Sequence, residues 1–440
     1  MIYLLLLCLL GGLSVAFILN NRDVFSPSFV FAASFVFCTA WAVAFSREWG
    51  LGLHSNTFWV LFLGVFEYIA VATFIHALFV AAKPVGQRKR ADRLSGLTYI
   101  QIDSWKKIVF IIFELLTVAY ISWILMKEVG TTSLPTAIST YRNSINSSIQ
   151  VYTFPKPMVL MRTVTNASGY WFIYVMINNR LATKKNDYLV LSIVLLSIVS
   201  WSMLGGRNNV VNLIIGFIAI LSLLIRRKNG KTWTINFKGL LVGIIVGIIC
   251  LYSFQLFGSL LGRTSDSSPL EYLAKYCGAE IKNLDLFIRN GMFPNKSMPW
   301  GSQTFVNFVR LKVHYNYPLT LPFQSVNGFN LGNVYTTFYA FLYDFGYIGV
   351  GVLTAIMAAI TQIVYEIAKL SKSRISPSIF VVIYGFFFSS IALSFFSDKF
   401  YEQNFLLDFA EMIILWNIFN VVFCNFNFSK SAHKITQSIY

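Results

Sequence analysis

Long stretches of the chain are apolar without a break, and short polar segments separate them. The runs fall near 2–20, 29–46, 57–80, 107–126, 158–178, 187–205, 209–225, 239–258, 346–368, 378–396 and 405–425. About 18 or more consecutive apolar residues suffice for a helix to cross a hydrocarbon layer, and most of these runs reach that length. The pattern predicts an all-α polytopic membrane protein with about eleven spans, forming one integral membrane domain over 1–440. Composition agrees: hydrophobic residues make up 56% of the 440 and charged residues 12%, about half the roughly 25% charged content of a soluble domain. The first run lacks a basic segment ahead of it and an A-x-A cleavage site, so it reads as a retained span rather than a signal peptide.

A net charge of +17 would suit a nucleic-acid binder, but the distribution of charge does not. The Lys and Arg residues sit in short loops between apolar runs, which is a topology signal. The cluster Lys83, Arg88, Lys89, Arg90, Arg93, Lys106 and Lys107 marks segment 81–107 as cytoplasmic. Counting spans outward from it puts Arg180/Lys184/Lys185, Arg226/Arg227/Lys228/Lys231, Lys369/Lys372/Arg374 and the C-terminal tail on the same side. Inside segments then hold 21 Lys and Arg against 4 Asp and Glu, and outside segments 14 against 9. The N-terminus falls outside.

Two external segments are long. Segment 127–157 is rich in Ser, Thr and Asn. Segment 259–333 holds Arg263, Lys275, Lys282, Arg289, Lys296, Arg310 and Lys312, together with Trp300. A stretch of that length is seldom plain coil, and the apolar spacing from Pro269 to Arg289 predicts a surface helix. Of the five Cys, only Cys277 lies in an external loop. No CxxC or His/Cys cluster suggests zinc, and no nucleotide or hydrolase motif is present. An external active site has no ready nucleotide donor, which favours a lipid-linked one.

Three short segments carry candidate chemistry. Ser202-Met203-Leu204-Gly205-Gly206-Arg207-Asn208-Asn209 is a tight external turn, where glycine allows close backbone approach and Arg207 offers a planar fork for phosphate. A snorkelling Arg in an ordinary hairpin is the competing reading. Phe257 to Thr264 repeats the arrangement with Arg263, and an interfacial anchor is its alternative. In Asn333-Val334-Tyr335-Thr336-Thr337-Phe338-Tyr339-Ala340-Phe341-Leu342-Tyr343-Asp344-Phe345-Gly346, the tyrosines Tyr335, Tyr339 and Tyr343 fall on one helix face. They would form an interfacial belt or a sugar-stacking face. Asp344 suits a helix cap or a base. Arg142 follows Tyr141 in the first long loop, and Asp398, Lys399 and Glu402 occupy a short external loop. Glu67, His76, Glu114, Asp408 and Glu411 lie inside spans, where ionisable groups usually face the bundle interior.

These segments, with Gly301-Ser302-Gln303-Thr304-Phe305 and the continuation Asp344-Phe345-Gly346-Tyr347-Ile348-Gly349, resemble the oligosaccharide repeat-unit polymerases of the Wzy O-antigen type. The resemblance covers most of the chain as architecture, but only these segments as motifs. It implies a GT-C-like fold in the bacterial inner membrane and a metal-independent glycosyltransferase without cofactors. Such an enzyme joins undecaprenyl-diphosphate-linked oligosaccharides at the periplasmic face during lipopolysaccharide biosynthesis. A chain-length regulator is a further partner; nucleic acid is not. On this reading Arg207 and Arg263 hold the diphosphate, with Arg142 and Arg310 as lesser candidates. Asp344 or Glu402 receives the acceptor's proton, and Tyr335, Tyr339 and Tyr343 meet sugar. An O-antigen ligase, with His314 as its candidate histidine, and a repeat-unit flippase are the rival readings. The flippase is disfavoured by the lack of an internal repeat and of midplane polar sites.

Overall fold

A computed structural model describes residues 1–82, 96–147, 152, 154–205, 208–230, 269–313, 321–371, 375–405 and 407–425. The apolar run 239–258 lies outside them, and so do Arg207, Arg263 and His314.

The described chain is mostly helical. The first three helices are α1 (Ile2–Leu19), α2 (Pro27–Ala44) and α3 (Ser55–Ala81); α4 (Ser104–Val129), α5 (Leu134–Ser147), α6 (Lys156–Thr183), α7 (Tyr188–Ser202) and α8 (Asn208–Asn229) follow. The described part of segment 259–333 contains α9 (Pro269–Cys277), α10 (Ala279–Asn290) and α11 (Val306–Val313), then a hairpin of β1 (Gln324–Val326) and β2 (Phe329–Gly332). Last come α12 (Thr337–Leu370), α13 (Ile379–Ala392), α14 (Lys399–Asn404), α15 (Leu407–Phe419) and a π-helical turn, Asn420–Asn425. Each apolar run within the described residues coincides with a helix. Six of those helices, α1–α4, α8 and α12, are long and apolar enough to cross a membrane, and α7 and α13 are shorter apolar helices.

Local chemistry fixes the helix ends. Pro27 opens α2, and the Asp187 carboxylate caps α7 by accepting from Leu189 N and Val190 N. Gly130, at φ 76°, closes α4 as a left-handed cap. Gly346, at φ 66° and ψ −158°, breaks α12 into a short leading helix, Thr337–Phe345, and a long one. Only glycine adopts that conformation freely.

Helix α12 packs along α3, α13 along α8, and α6 between α7 and α8. A Cβ on Gly64 of α3 would lie 2.6 Å from the Phe338 ring, so this contact needs glycine. Polar contacts then divide the bundle into two ends. At one, Arg226 pairs with Asp23 at 2.9 Å, Glu366 accepts from Lys369 at 2.5 Å and meets His76 at 2.7 Å, and Lys107 pairs with Asp187 at 2.7 Å. These are segments that charge counting puts inside. At the other end, α10 clamps the α2–α3 loop. Asp285 accepts from His54 N and Thr57 Oγ1, Lys282 donates to Gly50 O at 2.9 Å, and Arg289 donates to Gly52 O.

The expected surface helix over 269–289 is instead two helices, and the second is buried. Gly278 breaks it where the backbone meets α2: a Cβ there would lie 2.8 Å from Ala42 N and from Trp41 Cβ. Ile281, Leu284, Glu280 and Asp285 are fully buried. The apolar spacing was real, but it faces α2 and α3 rather than water. Burial of Glu280 holds its carboxyl well above the usual range, and Cys38 Sγ lies 3.7 Å from Glu280 Oε2.

Candidate functional site

The motif segments at the end of the bundle that holds α10 meet one another. Asp344 sits on the last turn of the Thr337–Phe345 helix. Its Oδ2 accepts from Thr304 N at 2.7 Å and Gln303 N at 3.0 Å, and its Oδ1 accepts from Ser302 Oγ at 3.1 Å. The turn Gly301–Phe305, 40 residues upstream, therefore hangs on this one carboxylate. Ser302 and Thr304 are fully buried by the contact. Gly301, at φ 78°, supplies the left-handed backbone that starts the turn.

Tyr339 and Tyr343 lie on the helix that begins at Thr337 whereas Tyr335, expected on the same helix face, precedes it, and the three rings form a covered row. Tyr335 and Tyr339 have ring centroids 4.3 Å apart, Tyr339 and Tyr343 5.8 Å, and Phe287 of α10 lies 4.6 Å from Tyr339. Tyr335 Oη donates to Pro322 O and accepts from Gln324. Tyr335 and Tyr339 are buried and Tyr343 is half-buried. In this arrangement the ladder packs the large external segment onto α12.

Glu402 lies on α14, half-buried, with Oε2 2.5 Å from Lys399 Nζ. Asn307 of α11 donates to its backbone carbonyl, so α11 and α14 are neighbours. The backbone of Arg310 lies on α11; its side chain is outside the described residues. Asp398 departs from the solvated loop residue that sequence suggests. It is 6% exposed and caps α14 through Tyr401 N, and its Oδ2 has no partner among the described residues. Burial holds its carboxyl well above the usual range, with smaller contributions from Glu402 and Asp344.

Two arginines, Arg142 of α5 and Arg162 of α6, form a separate part of this end. Helix α7 ends at Ser202, and Gly205 turns the chain at φ 67°. A Cβ on Gly205 would lie 3.3 Å from both Arg142 Cβ and Ile138 Cγ2, so Gly205 rests on α5. Burial raises the Tyr141 hydroxyl, and Arg162 and then Arg142 oppose the rise. Both guanidinium groups therefore act on the same phenol, and Asp408 of α15 lies within electrostatic reach of Arg162. Arg162 and Asn166, one turn apart on α6, share a face. That face has polar atoms without partners among the described residues: Arg162 Nε and Asn166 Oδ1. Asn212 Oδ1 on α8 and both amide atoms of Asn404 on α14 are likewise unpartnered. Asn212 Nδ2 lies 3.5 Å from Gln403 Oε1, joining α8 to α14. Buried polar groups are normally satisfied, so such a concentration marks a place suited to a polar ligand. Two Arg forks suit an anion, and the amides suit hydroxyl groups.

Sequence reading brought Arg142 and Glu402 forward but missed Arg162, Asn166 and Asn212, and it gave Asp398 no buried role. The signal for Arg162 was available: an Arg inside an apolar run is costly and usually faces the bundle interior. Among the described residues, no group of three or more His, Cys, Asp or Glu is placed to hold a metal ion. No protein family, curated protein or solved structure matches this chain.

Proposed function

We propose that this chain is a glycosyltransferase that polymerises oligosaccharide repeat units carried on polyprenyl diphosphate, acting at the outer face of a bacterial inner membrane through about eleven spans in a GT-C-like arrangement. One observation carries the reading: Gly205 packs against Arg142 of α5, at the end of the bundle that also gathers Asp344, Asp398 and Glu402.

In the reaction, a hydroxyl of the acceptor unit attacks the anomeric carbon of the donor. The bond from that carbon to the diphosphate oxygen breaks, and its electron pair leaves with the diphosphate. Charge grows on the leaving group as it departs. Preorganised donors in a water-poor site stabilise such charge by about 3–4 kcal/mol each. Arg142 and Arg162 fill that role, and Arg207, two residues beyond Gly205, joins them in this reading. Asn166, Asn212 and Asn404 offer hydrogen bonds to sugar. The acceptor's proton needs a base within reach. Both Asp344 oxygens are engaged in holding the 302–304 turn, whereas Glu402 keeps one oxygen without a partner among the described residues. Glu402 is therefore the stronger candidate.

The lipopolysaccharide of a deletion strain tests the class. A ladder reduced to single repeat units on the core supports a polymerase. Loss of every unit from the core would instead assign a ligase, and loss of lipid-linked units from the outer leaflet a flippase.

A further inference from the structure

Three packed helices bring polar side chains to one level of the bundle, beside Gly205. Helices α6 and α7 are joined by the short segment 184–187 and pack against each other, so they run antiparallel. Ser197 of α7 sets their register. Its hydroxyl donates to Thr165 O at 2.8 Å and would lie 2.6 Å from a Cβ on Gly169. One turn further along α7, Trp201 therefore stands level with the stretch of α6 between Arg162 and Asn166. Helix α8 runs the same way as α6. A Cβ on its Gly216 would lie 2.7 Å from Tyr170 Cε1. Four residues back along each helix, Asn212 is level with Asn166. The Tyr170 ring, 6.2 Å from the Trp201 ring between centroids, forms the floor common to all three.

The polar atoms at this level are left over. Trp201 Nε1, Asn166 Oδ1 and Asn212 Oδ1 have no partner among the described residues, and Trp201 is 4% exposed and Asn212 2%. The Asn212 amide nitrogen is spent on Gln403 Oε1 at 3.5 Å, so its oxygen is the atom that remains. A buried donor or acceptor without a partner is costly, and folded proteins seldom leave one so.

The kinds of atom select the ligand. An indole N–H only donates, and an amide oxygen only accepts. An anion could take the donor but would face two carbonyl oxygens. An apolar chain could satisfy none of them. A hydroxyl group both donates and accepts, and a sugar ring carries several of them around C–H faces that pack on aromatic rings. Arg162, one turn from Asn166 on the same face of α6, remains for the diphosphate of the proposed reaction.

We infer that this level of α6, α7 and α8 is a subsite for one neutral sugar ring, and that the Trp201 indole N–H selects the hydroxyl it meets. That the ring belongs to a lipid-linked repeat unit rests on the glycosyltransferase reading; the subsite itself rests on its lining.

Binding without turnover tests it. Glucose, galactose, mannose and N-acetylglucosamine are titrated separately against the purified full chain in detergent, and each affinity is read from the rise in thermal midpoint. At least one should bind. The monodeoxy analogues of that sugar follow. One of them should bind about tenfold more weakly, because it leaves Trp201 Nε1 without an acceptor. Trp201→Phe keeps an aromatic ring and removes the N–H. It should bind the parent sugar about tenfold more weakly and no longer distinguish it from that analogue. A variant that weakens sugar and analogue alike makes Trp201 a packing residue and overturns the inference. So does a wild-type protein that binds none of the four sugars. Should Trp201→Phe fail to fold, the analogues decide on wild-type protein: equal affinity for all of them contradicts the subsite. Selective sugar binding in a protein that releases no polyprenyl diphosphate supports the subsite and contradicts the glycosyltransferase reading alone.

Discussion

The Asp344 carboxylate accepts a hydrogen bond from the Thr304 backbone at 2.7 Å, joining two segments that lie 40 residues apart in the chain. Both belong to the motifs on which the polymerase resemblance rests. The contact ties the large external segment to the head of α12, beside the break at Gly346. Asp344 thus has a positional role first. Asp344→Asn should lower stability by about 1–3 kcal/mol, because an amide cannot accept at both positions and leaves a buried N–H unmatched. A drop in thermal midpoint for the purified protein checks this. An unchanged midpoint with lost activity would return Asp344 to the role of base.

Glu402→Gln should behave in the opposite way. Its partner Lys399 is 13% exposed and Glu402 32%, and because a glutamine oxygen still accepts from the ammonium, the loss of the pair's charge costs about 1 kcal/mol. The thermal midpoint should hold to within that cost while turnover falls by about 10²–10⁴, the usual contribution of a general base. Turnover within twofold of wild type would remove Glu402 from the reaction.

Gly205 is a second position where backbone shape matters. Gly205→Val adds a β-branched side chain at φ 67° and presses it against Arg142 and Ile138. A residue with a Cβ in that region is strained by about 1–2 kcal/mol. The account expects shorter polymer at normal protein levels, as the Arg142 side chain is displaced. Normal chain length on a gel of surface polysaccharide would separate the turn from the site.

Asp398 sets a pH dependence. Its folded-state carboxyl is held above the ordinary value by burial. The folded protein therefore binds the proton more tightly than the unfolded chain. The contribution to stability is complete below the ordinary aspartate range and is lost as pH rises through the raised folded value. Asp398→Asn should flatten the fall in thermal midpoint with rising pH over that window. Parallel curves for the two proteins would show that Asp398 is ionised in the fold.

Much of the fold was legible in the chain because bilayer-crossing helices announce themselves by length and apolarity. The run near 346–368 gave the long part of α12, and Gly346 marked its start. What was not legible depended on partners distant in sequence. The helical spacing of Ile281, Leu284 and Ile288 shows an apolar face but not whether water or α2 covers it. The spacing of Tyr335, Tyr339 and Tyr343 is the same whether they meet sugar or Phe287, and it does not show that Tyr335 precedes the helix, which begins at Thr337. Arg162 was legible as a costly cation inside an apolar run, but the groups that act on it, Tyr141 and Asp408, belong to other helices. Asp398 looked solvated because nothing local reveals that Thr337 and Tyr401 enclose it.

The central claim is that the guanidinium groups at the outer end hold a departing polyprenyl diphosphate, and release of that product tests it most directly. Purified protein in proteoliposomes, given an oligosaccharide on polyprenyl diphosphate, should release free polyprenyl diphosphate as polymer forms. Arg162→Lys keeps the charge but loses the bidentate fork, and it should slow release by about 10²–10³ with an unchanged thermal midpoint. Release at the wild-type rate from this variant, or none from the wild type with any lipid-linked oligosaccharide, would contradict the account.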